Sequence, residues 1–184
     1  VKHSCRFASF VLLSKADYPA ELDIPLPFSL LNNNASKNQL EVMPAFWWLH
    51  NMFALARNSW KFQNRDKRIN KVQNIEFDAF APDTIEEVIH ARRLLVLGTA
   101  TASLRQKEKS AEGYGENDLV KLGQDLLSGK EETVSRLEIL GENMEHTKRK
   151  VLILKAYQAY HAYGDMLYHY AIKNMLAYLA SHQK

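Results

Sequence analysis

The sequence contains little that would define a reaction. It has one cysteine, Cys5, among 184 residues, which excludes an internal disulfide and a zinc site built from several thiolates. Its apolar stretches are far shorter than the roughly 18–20 residues that cross a bilayer. The formal net charge is only +3, which by itself does not favour nucleic acid as a partner. We therefore expect no membrane span and no nucleic-acid partner.

Familiar catalytic motifs are also missing. The chain has no GxGxxG, GxxxxGK[ST], GxSxG or HExxH pattern, so no nucleotide-binding loop, nucleophile elbow or metalloprotease helix is indicated. No cofactor, substrate or reaction is assigned by a motif. A lone cysteine is typical of a reducing compartment, and we predict a cytoplasmic location. With 46% hydrophobic and 24% charged residues, the composition is that of a folded protein.

Most of the chain has helical patterning. From Pro44 to about residue 62, apolar residues recur at helical spacing after a proline that suits a first helical turn. Residues 83–108 begin with a capping-box pattern, and residues 118–127 are amphipathic. Residues 145–180 contain no proline and predict one long helix, in which Gly164 indicates a close helix crossing. We therefore predict a mainly α fold, an irregular helical bundle around the long C-terminal helix.

The N-terminal part has a different pattern. Residues 6–14 are rich in Phe, Val and Leu and predict a strand, whereas residues 24–28 alternate with prolines and predict an extended edge or strap. Asn32, Asn33 and Asn34 predict a loop. We therefore divide the chain into an extended or β segment, residues 1–42, and a helical domain, residues 43–184.

Three stretches resemble an uncharacterised bacterial protein family, a domain of unknown function. They are FASFVLLSKADYPAELDIPLPFSLL (7–31), EVMPAFWWLHNMFALARNSWKFQNRDKR (41–68) and KRKVLILKAYQAYHAYGDMLYHYAIKN (148–174). Longer members of that family carry a left-handed parallel β-helix, the hexapeptide-repeat architecture of many acyltransferases and sugar nucleotidyltransferases. The resemblance implies that residues 1–31 are the last turn and exit of a β-helix and that the rest is its helical C-terminal region. It carries over no catalytic residues.

The first candidate site is an aromatic and basic run between Met43 and Lys71 that holds all three tryptophans. An Arg fork and a Lys point charge suit a phosphate, and an exposed indole suits a sugar or a base. The more ordinary interpretation is a solvated basic helix end. The residues that we assign to this candidate ligand site are Arg57, Trp60, Lys61, Arg65 and Arg68.

The second candidate is a stripe of His161, Asp165 and His169 at four-residue spacing on the long helix. Imidazole and carboxylate groups suit zinc or iron. The first and third positions lie on the order of 12 Å apart along the helix, so at most two of the three could hold one ion. A helix bearing His50 or His90 would have to complete the site. The alternatives, which we favour over a metal site, are a hydrogen-bonded polar seam inside a bundle and a solvent face.

The third candidate is the aromatic face of Trp47, Trp48 and Phe53. Neighbouring side chains on a helix point about 100° apart, so Trp47 and Trp48 are both buried only if the helix has neighbours on two sides. We expect them to anchor the helix on the core. An exposed tryptophan would instead mark an interface.

Two functions remain open from the sequence. The leading hypothesis is a non-catalytic, helical C-terminal region that packs on a β-helix domain of a transferase-like protein and forms homo-oligomers. The alternative is a transferase that acts on a sugar phosphate or nucleotide-sugar, with the basic and aromatic run as its phosphate-binding site. Enzymatic activity in this chain is therefore not assigned.

Overall fold

The computed structural model describes residues 2–70, 72–73 and 75–182, so Lys71 lies outside the described residues. The fold is mainly α, as predicted, with short strands at the N-terminal end. The helices are α1 (Phe46–His50), α2 (Met52–Arg65), α3 (Pro82–Gln106), α4 (Glu116–Leu127), α5 (Glu131–Ser135) and α6 (Ala156–His182). The strands are β1 (Arg6–Phe7), β2 (Leu12–Leu13), β3 (Asp23–Ile24), β4 (Leu30–Asn34), β5 (Gln39–Met43) and β6 (Lys150–Ile153).

The N-terminal part winds as two stacked rungs, the first rung (residues 2–16) and the second rung (residues 17–34). β1 pairs in parallel with β3, and β2 pairs in parallel with β4. Partners in the first pair are 17 residues apart, and partners in the second are 18 residues apart, as with Leu12 opposite Leu30. The single strand predicted for residues 6–14 is therefore wrong, because the chain turns a corner between β1 and β2.

That corner is repeated in both rungs. Phe10 has φ 59° and Phe28 has φ 57°, a left-handed conformation that a phenylalanine rarely adopts. Their rings stack with centroids 5.0 Å apart and planes within 3°. Ser14 Oγ likewise lies 3.2 Å from Oδ1 of Asn32, again 18 residues on. Equivalent positions of the two rungs thus share backbone conformation and side-chain contacts.

The second rung is covered on the side away from the first. β5 pairs antiparallel with β4, and β6 continues this sheet in parallel. On another face, the Asp23 amide donates to Met144 O (3.1 Å), and the His146 amide donates to Glu21 O (3.0 Å). Because β6 and Met144 come from the predicted helical domain, both parts of the chain share these ladders. The division at residue 42 stays a prediction.

The prolines of residues 24–28 do not place this segment at an edge. Ile24, Leu26 and Phe28 are fully buried, and β3 ends before Pro25, so the prolines occupy positions where no ladder N–H is needed. The prolines thus lie outside a central strand, as predicted, but the segment belongs to the core and is not a strap across a surface. Residues 22–28 contribute four side chains to the hydrophobic core, those of Leu22, Ile24, Leu26 and Phe28.

The three asparagines predicted to form a loop belong to β4. Asn32 Nδ2 donates to Oε2 of Glu41 (2.9 Å) and Asn34 Nδ2 donates to Oε1 (2.7 Å), across the β4–β5 pair. Burial alone would raise the pKa of the Glu41 carboxyl, but these hydrogen bonds and one from Gln39 outweigh it and hold that pKa below its ordinary value. A strand of asparagines is stable here because one carboxylate accepts from several amides.

A buried ion pair joins the helical part to the second rung. Arg149 Nε donates to Oε2 of Glu145 (2.9 Å), and Arg149 Nη1 donates to Oδ1 of Asn33 in β4 (2.9 Å). Burial alone would raise the pKa of the Glu145 carboxyl, but hydrogen bonds from Arg149 and Thr147 hold it below its ordinary value. The pair therefore fixes the residues that cover the second rung.

Helix α6 connects the helical part to the second rung. The first half of α6 is buried, and Tyr163 there is fully buried with its hydroxyl donating to Pro27 O in the second rung (2.7 Å). Burial raises the pKa of the Tyr163 phenol, which is therefore a neutral donor at ordinary pH. α3 lies between α4 and α6, and α5 contacts α6.

The structure corrects several helix boundaries. The predicted helix from Pro44 is two helices with a break at Asn51, whose φ is −146°. Asp83 lies inside the first turn of α3 and does not cap it, because the N-cap is Ala81. The long helix begins at Ala156, since the residues before it alternate in burial and form β6. α5 was not predicted.

Two glycines behave differently from the sequence expectation. A Cβ on Gly164 would meet Arg92 at 3.9 Å, an ordinary contact, so no close helix crossing occurs there. The close crossing lies at Gly123 of α4, where a Cβ would come within 2.1 Å of the Val96 carbonyl oxygen of α3. Only glycine fits at that contact.

Candidate functional sites

Helix α2 presents three of the predicted ligand-site cations in a line. Arg57, Lys61 and Arg65 follow at four-residue spacing, which gives axial steps of about 6 Å. Arg57 and Arg65 are exposed and Lys61 is half-buried. Among the described residues, none of the three forms an ion pair, so all three charges are available to an anion.

Arg68 is different because it is already paired. It lies beyond the end of α2, and its Nε and Nη2 donate to the two carboxylate oxygens of Asp66, each at 2.8 Å. The hydrogen bond from Arg68 to Asp66 raises the pKa of the Arg68 guanidinium. A ligand anion at Arg68 would have to compete with that carboxylate.

Trp60 is the exposed tryptophan of the chain's three. Its side chain is 60% exposed, and Phe53, two helical turns earlier, is 79% exposed. Positions seven apart lie on one helix face, so Trp60 and Phe53 form an apolar strip beside the cations. By contrast, Trp48 packs edge-on against Phe80 and His169, and Trp47 packs against the core. Trp47 and Trp48 match the predicted anchors, whereas the expectation for Phe53, the third residue of that face, is wrong because its side chain is exposed. Trp60 marks an open surface.

The cations do not line the cavity beside α2. The cavity of about 230 Å³ beside α2 is formed by Leu55, Asn58, Ser59 and Phe62 together with Phe10 and residues 76–79. The candidate ligand site is therefore an open helix surface. It brings together Arg57, Trp60, Lys61 and Arg65, and it leaves Arg68 apart.

The predicted histidine stripe on α6 divides between separate environments. His161 Nε2 lies 3.0 Å from the Leu127 carbonyl oxygen, and its ring contacts Tyr157. His169 instead packs between the rings of Trp48 and Phe80. Within the described ranges, no three His, Cys, Asp or Glu side chains come together as a metal site. Each histidine serves local packing.

The first rung has an open edge. The amides of Arg6 and Ala8 donate to the second rung, as do those of Leu12 and Ser14. Successive amides of a strand point to opposite edges, so those of Phe7 and Leu13 point away from it, as in an edge strand. Sequence inspection missed this surface, although the 18-residue spacing of two similar phenylalanine corners was the signal for it.

The second half of α6 (residues 168–182) exposes an apolar face. Tyr168, Ile172, Met175 and Leu179 are each 50% exposed or more and follow at spacings of four, three and four residues. That spacing is the seam pattern of paired helices.

No helix in the described part of the chain is long and apolar enough to cross a membrane.

Comparison with known proteins gives one informative relative. An uncharacterised protein of Treponema pallidum (strain Nichols) is 43% identical over 178 residues, which are 97% of this chain and 23% of the relative. The chain thus spans about a quarter of that protein's length, and the match agrees with the predicted relation to an uncharacterised bacterial family. No protein-family model matches the chain. No solved structure matches it.

Proposed function

We propose that this chain is the helical end region of a parallel β-helix, and that it covers one end of the rung stack. The observation that carries the proposal is the repeat between the rungs, in which Leu12 pairs with Leu30 and Phe10 stacks on Phe28. Three faces of six residues make a rung of about 18 residues, the repeat of a hexapeptide β-helix. The resemblance of residues 7–31 to such proteins supports the same interpretation.

The outer edges of the two rungs indicate on which side further rungs would be added. The second rung is covered by β5 and by residues 144–146, so it cannot accept another parallel rung on that side. The first rung has half-exposed Phe7 and Phe10 and outward amides. Unpaired strand edges of this kind favour association with another strand. We therefore assign the open edge to further rungs of the same protein, for which the length of the Treponema relative leaves room.

Hydrogen–deuterium exchange on the Treponema protein tests this assignment. The full protein is compared with its 178-residue matching segment, and the peptide that corresponds to residues 5–13 is followed by mass spectrometry. Further rungs predict that the whole peptide is protected in the full protein, whereas in the segment only the amides that donate to the second rung are protected and the outward amides, such as those of Phe7 and Leu13, exchange fast. The peptide that corresponds to residues 22–31 is the internal control and should be protected in both. Equal exchange of the first-rung peptide in both proteins would contradict the proposal.

The oligomerisation part of the proposal rests on the exposed half of α6. This half has almost no charge of its own, and its Lys173 pairs with Asp78 of the same chain. Two copies of a neutral apolar seam can pack against each other without burying unpaired charge. We therefore propose a homodimer through the seam of Ile172, Met175 and Leu179.

Light scattering after size-exclusion chromatography tests the dimer. Ile172→Glu should yield a monomer, because each copy would place a carboxylate in the seam. Asn174→Glu introduces the same charge two residues later, on the far side of α6, and should leave the dimer intact. A wild-type chain that is monomeric throughout would overturn this part of the proposal without affecting the rung stack.

The second candidate function is the binding of a sugar phosphate or nucleotide-sugar, as part of a transferase. The unpaired charges of Arg57, Lys61 and Arg65 beside the exposed Trp60 indole favour it. A phosphate would bind the cations and the sugar or base would stack on Trp60.

Isothermal titration calorimetry with glucose 1-phosphate and UDP-glucose tests this second function. Arg57→Ala should weaken binding by about tenfold, the loss expected for one charged hydrogen-bond donor. Arg136→Ala removes another exposed arginine outside α2 and should leave the affinity unchanged. If neither ligand releases heat with the wild-type chain, the candidate site is a solvated basic helix.

A further inference from the structure

A cavity of about 450 Å³ lies between α3, α4 and α6. Its apolar walls come from Val96 of α3, Val120 of α4 and Leu167 of α6, and its floor includes the ring of Tyr160. The volume is in the range of small-molecule sites, which combine mostly apolar walls with a few polar groups. Three helices thus surround a space large enough for a small ligand.

Among the polar groups that line this cavity, Arg92 is partly buried. Its guanidinium carbon lies 4.1 Å from the centroid of the Tyr160 ring, so the cation packs on the face of the phenol. The Nε atom is buried and donates no hydrogen bond. Within the described ranges, Arg92 forms no ion pair. A buried donor without an acceptor is costly, and an uncompensated guanidinium favours an oxyanion.

Neighbouring arginines are different. Arg93 lines the same cavity but pairs with Glu116, and Arg149 elsewhere pairs with Glu145. Arg92 is therefore unusual because it combines partial burial, a stacked ring and no carboxylate. Gly164 of α6 faces the same guanidinium and contributes no side chain to cover it.

The remaining polar residues restrict the kind of anion. Gln124 of α4 lines the cavity and supplies an amide that can donate to an anion. Glu86 also lines it, and its negative charge disfavours a ligand with more than one charge near Arg92.

We propose that this cavity binds a small aliphatic monocarboxylate, with its carboxylate on Arg92 and its apolar body against Val96, Val120 and Leu167. The carboxylate accepts hydrogen bonds from the Nη atoms of Arg92 and supplies the missing counter-charge. The site is separate from the rung edge and from the cations of α2, so it does not depend on the proposed function.

Nuclear magnetic resonance of the arginine side chains tests the site in the whole chain. The Arg92 Nε–Hε signal is followed while hexanoate is added, with hexanol as an uncharged probe of the same length and inorganic phosphate as a polar anion. The proposal predicts a saturable shift of this signal with hexanoate and weaker binding of both other probes.

Variants separate the charge from the packing of Arg92. Arg92→Gln should weaken hexanoate binding by at least about tenfold, and Arg92→Lys, which keeps the charge and most of the stem, should weaken it less. Arg136→Gln is the control and should bind as the wild type does. The wild-type and Arg92→Lys proteins also report by thermal shift, since a ligand of the native state raises the melting temperature.

Three results would overturn the proposal. They are the absence of a saturable hexanoate shift, equal binding of hexanol, and unchanged hexanoate affinity in a folded Arg92→Gln protein. The first would make the Arg92–Tyr160 stack a packing contact alone. The second would make the cavity a general apolar site.

Discussion

The two rungs have the same backbone geometry and very different surroundings. In the first rung (residues 2–16) no residue is fully buried, whereas the second rung (residues 17–34) holds much of the core, with Ile24, Leu26 and Phe28 fully buried. The second rung has neighbours on both sides, and the first rung has one on a single side. Burial is therefore set by what covers a rung, and the comparison shows which side of the first rung is open.

Helix α6 repeats the same contrast along its length. Its first half buries Tyr163 and Met166, whereas its second half exposes Ile172, Met175 and Leu179. Both halves are rich in apolar residues, so composition alone does not distinguish them. In both the rungs and α6, an apolar surface of the same kind is covered at one end and open at the other.

Substituting the stacked phenylalanines gives the largest expected difference between the rungs. Phe28→Ala should lower the free energy of unfolding by about 3–5 kcal/mol, because a fully buried ring is lost. Phe10→Ala should cost about 1 kcal/mol, because its ring is 41% exposed. Both residues have positive φ, so the backbone strain of alanine is the same at each position. Urea denaturation of the two variants measures the difference, and equal losses would mean that the open rung is covered.

Two glycines extend the comparison to the helices, with a somewhat smaller effect. Gly123→Ala should lower the free energy of unfolding by about 2–3 kcal/mol, because the added methyl collides with the Val96 carbonyl oxygen. Gly164→Ala should be neutral or stabilise the chain by up to about 1 kcal/mol, because the site is open and alanine favours a helix. Thermal denaturation of both variants tests this, and a larger loss at Gly164 would contradict the helix packing.

The ion pair that covers the second rung should give a pH-dependent effect. The folded pKa of Glu145 is below its ordinary value of 4.5, so the pair contributes stability that is complete above pH 4.5 and is lost as the pH falls through the folded pKa. Glu145→Gln should therefore cost about 2 kcal/mol at pH 7 and progressively less below pH 4.5. Denaturation of the wild type and of Glu145→Gln from pH 3 to pH 7 measures the difference between their free energies of unfolding. A difference in the free energy of unfolding that does not change with pH would exclude this role of the Glu145 carboxylate.

The sequence indicated the helical content well, because helices leave long periodic patterns. The mainly α class and the short helix α4 were predicted, and the long C-terminal helix was predicted from residue 145, although it begins only at Ala156. The rungs were harder because three of their four strands are only two residues long and their corners use phenylalanine at positive φ, where glycine or asparagine is expected. The strand of Asn32 to Asn34 was missed because its partner Glu41 is identified only in three dimensions.

The candidate ligand site was predictable only in part. Helical spacing predicted that Lys61 and Arg65 are one turn apart and that Arg57, Lys61 and Arg68 lie together if the helix continues, but α2 ends at Arg65 and Arg68 pairs with Asp66. The unpaired Arg92 could not be predicted from sequence, because many arginines carry the same local pattern and only packing shows which one lacks a carboxylate.

Residue-resolved amide exchange of this chain tests the central claim most directly. The account predicts that the amides of Arg6, Ala8, Leu12 and Ser14, which donate to the second rung, exchange slowly. The amides of Phe7 and Leu13, which point to the open edge, should exchange at least about tenfold faster in the same sample. Alternating protection of this kind would establish one covered and one open edge. Uniform protection along residues 6–14, or uniformly fast exchange, would contradict the account.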